Sequence, residues 1–494
     1  GFIETSGHTL NLLSSINAGR GGMWLLDPYD YTISTSNQQR DIQNALNNGS
    51  SVTITTSSRS FTPAGGSSIS GSSSSSGSIT LNISITANSG SGSLTFATSS
   101  SSESVSINRD INIRGNLAFT GSGDIAINTS AITTVGTQSY GGAISLSTSS
   151  TITASAITTS KTVDVGRYTL TLVSDALALG GTISGSSSSA LVIKSKTSST
   201  PINLGTGAGS SYLSLNDTEL GYLIAGSGNN VRSITFGDAA NGTGLIWYKT
   251  SRTFSFATDL TFTQKSTGAA GITIGSSFNN AGNITIEAGG VVTISSGVRI
   301  TTTYNGDIVI RGLQIKNSAG SSALNPGGSG IWQIWSSNAD PFNSNSTIGD
   351  SLGGLVSDYI QYGASYGQSS VLGSGNGILY TLTPVLSVTV SGNISKVYDA
   401  SRGAVVTLAN YSAISGAIND DIVSLTAPSS ALFTSSDVGS RDITLSGIVV
   451  SNSSRTSSGA TIYGYDVVVI NSLSGSITPA PLGIQVTGVY SGST

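Results

Sequence analysis

The chain has 494 residues, only 9% of them Asp, Glu, Lys or Arg, and a formal net charge of −4. No run of 18 apolar residues occurs, which excludes a helical membrane span, and the wealth of Ile, Val and Thr at so low a net charge excludes a disordered polar tract. The absence of cysteine removes disulfides, zinc-thiolate sites, iron-sulfur ligation and thiol nucleophiles, and 20 basic against 24 acidic residues leave no basic stripe for nucleic acid.

Gly1-Phe2-Ile3-Glu4-Thr5 reads as the middle of a strand and lacks the features of a signal peptide, so the segment is expected to come from a longer chain. His8, the one histidine, stands beside Thr9 and Leu10 in an early strand pattern and is read as an exposed polar residue. Asp27-Pro28 has the pattern of a turn whose carboxylate accepts from nearby amides. Over residues 36–49 the spacing predicts a short helix, capped by Ser36 or Asn37, with Ile42, Ala45 and Leu46 on its apolar face and Gly49 as its stop.

From there the dominant signal is a Gly followed by alternating apolar and polar residues, the period-2 mark of strands with one buried face. Gly77-Ser78-Ile79-Thr80-Leu81, Gly92-Ser93-Leu94-Thr95-Phe96, Gly123-Asp124-Ile125-Ala126-Ile127, Gly142-Ala143-Ile144-Ser145-Leu146, Gly282-Asn283-Ile284-Thr285-Ile286 and Gly306-Asp307-Ile308-Val309-Ile310 are the clearest copies. Their spacing varies from 15 residues between Gly77 and Gly92 to 24 between Gly282 and Gly306. Strands of about five residues cannot bury a face alone and become stable when coils stack their apolar faces into one core, which predicts a parallel β-helix. Asn-Gly turns at Asn48-Gly49, Asn241-Gly242 and Asn305-Gly306 are too few to pair so many strands as hairpins. The Ser-rich stretches 67–78, 99–104 and 185–189 are expected to be surface loops leaving the coil. With roughly 22 residues per coil and about 4.8 Å between coils, the shaft would reach on the order of 80 Å.

After Thr383-Pro384 the texture changes, with strands expected at 404–408, 422–425, 442–448 and 466–470 separated by turn residues. Val397-Tyr398-Asp399-Ala400 is echoed 92 residues later by Val489-Tyr490-Ser491-Gly492, a period that equals one small immunoglobulin-like domain. The sequence therefore predicts an all-β chain: a parallel β-helix over 1–383, a β-sandwich module over 384–482 and the start of a second module at 483–494.

These residues carry a resemblance. Gly1-Phe2-Ile3-Glu4-Thr5-Ser6-Gly7, Trp24-Leu25-Leu26-Asp27-Pro28-Tyr29-Asp30 and Thr32-Ile33 resemble the filamentous-haemagglutinin-like exoproteins of two-partner secretion. Residues 213–223 with Asn216-Asp217-Thr218-Glu219-Leu220, then Ile234-Thr235-Phe236-Gly237, Trp332-Gln333-Ile334-Trp335-Ser336, Gly353-Gly354-Leu355 and Gly373-Ser374-Gly375-Asn376-Gly377-Ile378-Leu379-Tyr380 follow in the order of that family. Ser395-Lys396-Val397-Tyr398-Asp399-Ala400, Asp420-Asp421-Ile422-Val423-Ser424-Leu425 and Ile477-Thr478-Pro479-Ala480 resemble its Tyr-Asp-Gly repeat modules, with Ala400 where Gly is usual. The resemblance implies a right-handed helix and a parent protein exported through an outer-membrane β-barrel partner. It further implies a place on the bacterial cell surface and attachment to host cells or to one another. Hydroxyl and amide faces suit weak, repeated contacts with host glycans or proteins, while low charge and open solenoid ends suit a second reading, a self-associating fibre of biofilm or sheath; no membrane insertion is expected.

Parallel β-helices also carry lyases and hydrolases that use paired carboxylates or calcium, so Asp27 with Asp30, Asp217 with Glu219, and Asp420 with Asp421 are the candidate acids. Each has a structural reading: a turn at Asp27-Pro28, a capped turn at Asp217, and a hairpin turn at Asp420-Asp421. A Ser-His-Asp arrangement on His8 would leave every serine an equal candidate. No tandem calcium nonapeptide or EF-hand spacing occurs, and no catalytic, cofactor or metal residue is assigned. Trp24, Trp247, Trp332 and Trp335 could stack against sugars, but large rings in a Gly-rich solenoid are expected mainly to fill or cap the core.

Overall fold

In a computed structural model the chain is described over residues 1–7, 16–28, 30–56, 60–61, 69–70, 77–206, 211–224, 231–268, 271–470 and 472–488. It divides into two compact units, Gly1–Ser336 with Asn343–Leu355, and Ser337–Phe342 with Val356–Thr494.

In the first unit strands pair with strands one coil away. Leu94–Ala97 pairs in parallel with Leu117–Thr120, then Gln138–Tyr140, Ala156–Thr159 and Ala176–Leu179 follow in the same sheet. Between these the chain visits two other sheets, one through Ser104–Ile107, Asp124–Ile127 and Ile144–Leu146, the other through Ile111–Ile113, Ala131–Thr134 and Ser150–Thr153. This is the pairing pattern of a parallel β-solenoid with three faces per coil, as the Gly-led alternation predicts. Further along, Ile202–Gly205, Ile246–Lys249, Ile272–Ile274, Val291–Ile294 and Gln314–Asn317 build another face beside the sheet that continues to Trp332–Ser336.

The apolar positions of all six Gly-led copies are buried: Ile79, Leu81, Leu94, Phe96, Ile125, Ile127, Ile144, Leu146, Ile284, Ile286, Ile308 and Ile310. The leading glycine has a steric reason. A Cβ on Gly142 would stand 1.8 Å from the Gly123 carbonyl oxygen, and one on Gly306 would stand 2.4 Å from that of Gly282. Coils can close to strand spacing at these corners only without a side chain. Inside, Phe96, Phe119 and Tyr140 stack from coil to coil, with centroids 5.4 and 4.9 Å apart. Tyr140 donates to Gln138 Oε1 at 2.6 Å, so its buried hydroxyl is satisfied. At a corner, Asn128 donates to Asn108 at 2.6 Å and Asn108 to Asn82 at 2.7 Å, an amide ladder along the stacking direction.

Helix α1 (Ser36–Asn47) lies where the periodicity places it, with Ile42, Ala45 and Leu46 fully buried. Its cap is Thr35, not Ser36 or Asn37. The Thr35 hydroxyl accepts from the Gln38 amide at 3.3 Å while Gln38 Oε1 accepts from the Thr35 amide at 3.0 Å, a reciprocal pair available only one residue earlier. Gly49 follows at φ 81°. Among the described residues no helix is long and apolar enough to cross a membrane.

Residues 99–104 and 185–189 do not leave the coil. Glu103 is buried and accepts from Thr56 Oγ1 at 3.2 Å, and Ser189 Oγ donates to the Ser186 carbonyl at 2.8 Å, so both stretches are tight corners. Most of 67–78 lies outside the described residues, as do His8 and the motif echo at 489–492.

The second unit mixes strand directions. Val385–Val390 runs parallel to Asp466–Val469 and antiparallel to Tyr411–Ser415, and Ile394–Val397 runs parallel to Leu473–Thr478, which is antiparallel to Gly439–Ser446. Tyr359–Gln361 pairs with Thr461–Tyr463, so residues ahead of position 384 contribute to this unit. The strand expected over 404–408 is absent. Asn410 Oδ1 accepts from the Thr407 amide at 2.9 Å and closes a 3-10 turn at Leu408–Asn410 instead. The strand expected over 442–448 spans Gly439–Ser446.

Candidate functional site

The six candidate carboxylates are not gathered in one cleft. Asp30 accepts from the Ser78 amide at 2.7 Å, and Asp27 is a buried residue of the strand Met23–Pro28. Asp217 begins helix α2 (Asp217–Tyr222) and accepts from the Ser251 amide at 2.9 Å. Glu219 accepts from the Leu179 amide at 2.9 Å and the Asn216 amide at 2.8 Å, clipping the helix to a neighbouring coil and completing its capping box. Asp30, Asp217 and Glu219 each accept from a backbone amide, and Glu219 engages both of its oxygens in this way.

Asp420 and Asp421 separate. Asn419 and Asp420 form the turn with φ of 50° and 64°, whereas Asp421 opens a strand with its side chain fully buried. Asp421 accepts from Arg455 Nε at 2.9 Å and from the hydroxyls of Tyr362 at 2.7 Å and Tyr465 at 2.8 Å, and Arg455 Nη2 donates to Tyr362 at 2.8 Å. The guanidinium also lies 5.5 Å from the centre of the Phe342 ring. Burial, with the hydrogen bond and charge of Asp421, pushes the Tyr465 hydroxyl up to about 12 and the Tyr362 hydroxyl higher still. Burial acts to lower Arg455, but the hydrogen bond and charge of Asp421 outweigh it and leave its pKa raised. A buried ion pair with every strong acceptor engaged is a lock between strands. Sequence reading singled out Asp421 for its neighbour Asp420 and missed Arg455, Tyr362 and Tyr465, which no spacing rule links to it.

The tryptophans divide in the same way. Trp24, Trp332 and Trp335 are buried, while Trp247 is 37% exposed on the outer face of Ile246–Lys249, between inward-facing Ile246 and Tyr248. Its register partners on that face are Asn203 on one side and Thr273 on the other, and the row continues through Thr293 to Lys316. The Lys249 ammonium lies 5.6 Å from the indole centre. Gly275 makes room for the ring, since a Cβ there would stand 3.2 Å from Trp247 Nε1. Asn203 Nδ2 and, one rung further, Ser214 Oγ are buried without hydrogen-bond partners. The face thus offers an indole, an ammonium and the half-buried hydroxyls of Thr273 and Thr293 at strand spacing, elements that grip a hydroxylated ring. Among the described residues no group of three or more potential metal ligands is brought together.

Residues 383–467 match the YDG domain, a stretch within the second unit that contains Asp421, Arg455 and Tyr465. No curated protein and no solved structure matches the chain.

Proposed function

We propose that the chain is a non-catalytic segment of an exported bacterial surface protein that holds glycans of another surface along the outer faces of its solenoid. In this reading the helix is right-handed, the terminal unit is an immunoglobulin-like module, and the parent protein leaves the cell through an outer-membrane β-barrel partner. The observation that carries the reading is the exposed Trp247 in its polar row, while the carboxylates of Glu219 and Asp421 are spent on amides and on an ion pair. Single contacts of this kind are weak, and many along one polymer supply strength by avidity. A glycan array probed with the purified chain tests it. Saturable binding to a sugar polymer is expected, with Trp247→Ala weakening it at least about tenfold, or ~1.4 kcal/mol. Binding to no polymer, or release of sugar products, sinks the reading.

A second reading, a fibre whose partner is itself, is favoured by the second unit. Leu482, Ile484 and Val486 form a period-2 apolar stripe and are 85%, 76% and 85% exposed. The segment forms no strand here, and its alternation has the period that strand addition to another chain requires. Electron microscopy at rising concentration separates the two: filaments favour self-assembly, and isolated particles that bind glycan favour attachment.

A further inference from the structure

A cavity of about 300 Å³ opens in the first unit where the continuous sheet turns into the face that bears Trp247. It lies at the ends of successive rungs: Lys194 ends one strand, Asp238 the next and Gln264 the third, while Ile202 and Ile246 begin the strands that follow the turn. Gly237, at φ 106°, opens the wall, since a Cβ there would meet the Thr263 carbonyl oxygen at 1.9 Å and Ile246 Cδ1 at 2.8 Å. The volume sits at the lower end of the range for small-molecule sites, about 300–1,000 Å³.

The lining is amphipathic. Val173, Ile202 and Ile246 supply apolar surface. Opposed to it, Lys194 Nζ and Asp238 Oδ2 lie 3.0 Å apart at the rim, two-thirds or more covered. Desolvation acts to raise the Asp238 carboxyl, but hydrogen bonds from Lys194 and from the Ala240 and Asn241 amides outweigh it and leave it below its ordinary value. It is therefore an ionised acceptor at neutral pH. The Lys194 ammonium has three hydrogens and donates one to Asp238. The Thr263 hydroxyl, on the same wall, is buried without a hydrogen-bond partner. An unmet buried hydroxyl is costly, and an incoming polar ligand can recover that cost.

We propose that this cavity is a binding site for one sugar ring, with Asp238 accepting from one hydroxyl, Lys194 donating to its neighbour, and the C–H face of the ring against Val173, Ile202 and Ile246. A neighbouring carboxylate and ammonium match the alternating donor and acceptor character of vicinal hydroxyls. A simple anion fits less well, because Asp238 already neutralises Lys194. The site deepens the glycan-attachment reading and rests on it for its biological sense, while its chemistry stands alone.

The test is a ligand-observed NMR titration of the whole 494-residue chain with glucose, galactose, N-acetylglucosamine and glucuronate, and separately with inorganic sulfate. Saturable binding of at least one sugar is expected, weakened at least about tenfold by Asp238→Asn and by Lys194→Met. Circular dichroism of each variant checks that the coils persist. Binding of no sugar overturns the proposal, as does sugar binding indifferent to both cavity variants or competition by sulfate at equal concentration. If polymers bind through Trp247 and no single sugar binds, the cavity proposal falls and the attachment reading stands. If single sugars bind at the cavity and no polymer binds, the reverse holds.

Discussion

Ala400 takes φ 63°, the left-handed region in which an L-residue pays for the contact between its Cβ and the following carbonyl. The turn it closes is held by Asp399, which accepts from Lys396 Nζ at 2.6 Å and from the Ser401 amide at 2.9 Å. Those hydrogen bonds, Lys396 first, draw the Asp399 carboxyl down to about 2. The conformation is thus the one a glycine would adopt freely. Ala400→Gly is expected to stabilise the second unit by about 0.5–1 kcal/mol, the relief of left-handed strain less the added backbone entropy, read as a higher midpoint in urea. At Tyr465 the neutral hydroxyl is the favoured form in the fold, with a pKa of about 12 against an ordinary 10.0. A raised folded value means that this contribution is complete below pH 10 and is lost as pH rises toward 12. Stability of the second unit measured from pH 9 to about 12 is expected to fall, and Tyr465→Phe to flatten the fall. An unchanged profile would remove Tyr465 from the lock.

At the scale of elements, the coils depend on two complementary devices, corners without side chains and interiors filled by stacked rings. Gly306 lies over the Gly282 carbonyl, so Gly306→Ala must push two coils apart, and a loss of about 1–3 kcal/mol is expected from overpacking. Phe119, between Phe96 and Tyr140, fills the interior of three coils, and Phe119→Ala should cost about 3–5 kcal/mol. Because stacked coils contact mainly their neighbours, both losses should appear first as local opening. Hydrogen exchange is expected to quicken in the coils adjoining the substitution, while protection at Ile308–Gly312 persists in Phe119→Ala. Uniform loss of protection would mean that the coils unfold as one unit.

For the molecule as a whole, low charge and an apolar stripe work together. Only 9% of residues are charged, so repulsion between copies is weak, and Leu482, Ile484 and Val486 alternate with Gly483 and Gln485 in an exposed segment that follows the last strand. If that stripe drives association, replacing all three by serine should abolish concentration-dependent growth in light scattering while leaving glycan binding intact. Persistent association would move the contact elsewhere. Leu482, Ile484 and Val486 lie in a different unit from the face that bears Trp247, so the two proposed functions can be tested by separate substitutions.

By itself the sequence determined that the chain is all-β, that its apolar alternation faces inward, that a helix lies near residue 40, and that glycines lead the strands, because each of these follows from local period and backbone sterics. Its reading failed at Thr35, at 404–408 and at 99–104, where a side chain reaching three residues along, or a buried Glu103, chose the local geometry. Only tertiary structure decided that Trp247 is exposed while three other tryptophans are buried, and that Asp421 belongs with Tyr362, Arg455 and Tyr465. It likewise placed Lys194 beside Asp238 at the mouth of a cavity, 44 residues apart in the chain. The physical reason is the variable length of the coils. Strand period is a local property, but which residues meet across a corner depends on the sum of all loop lengths between them, and no local rule carries that sum.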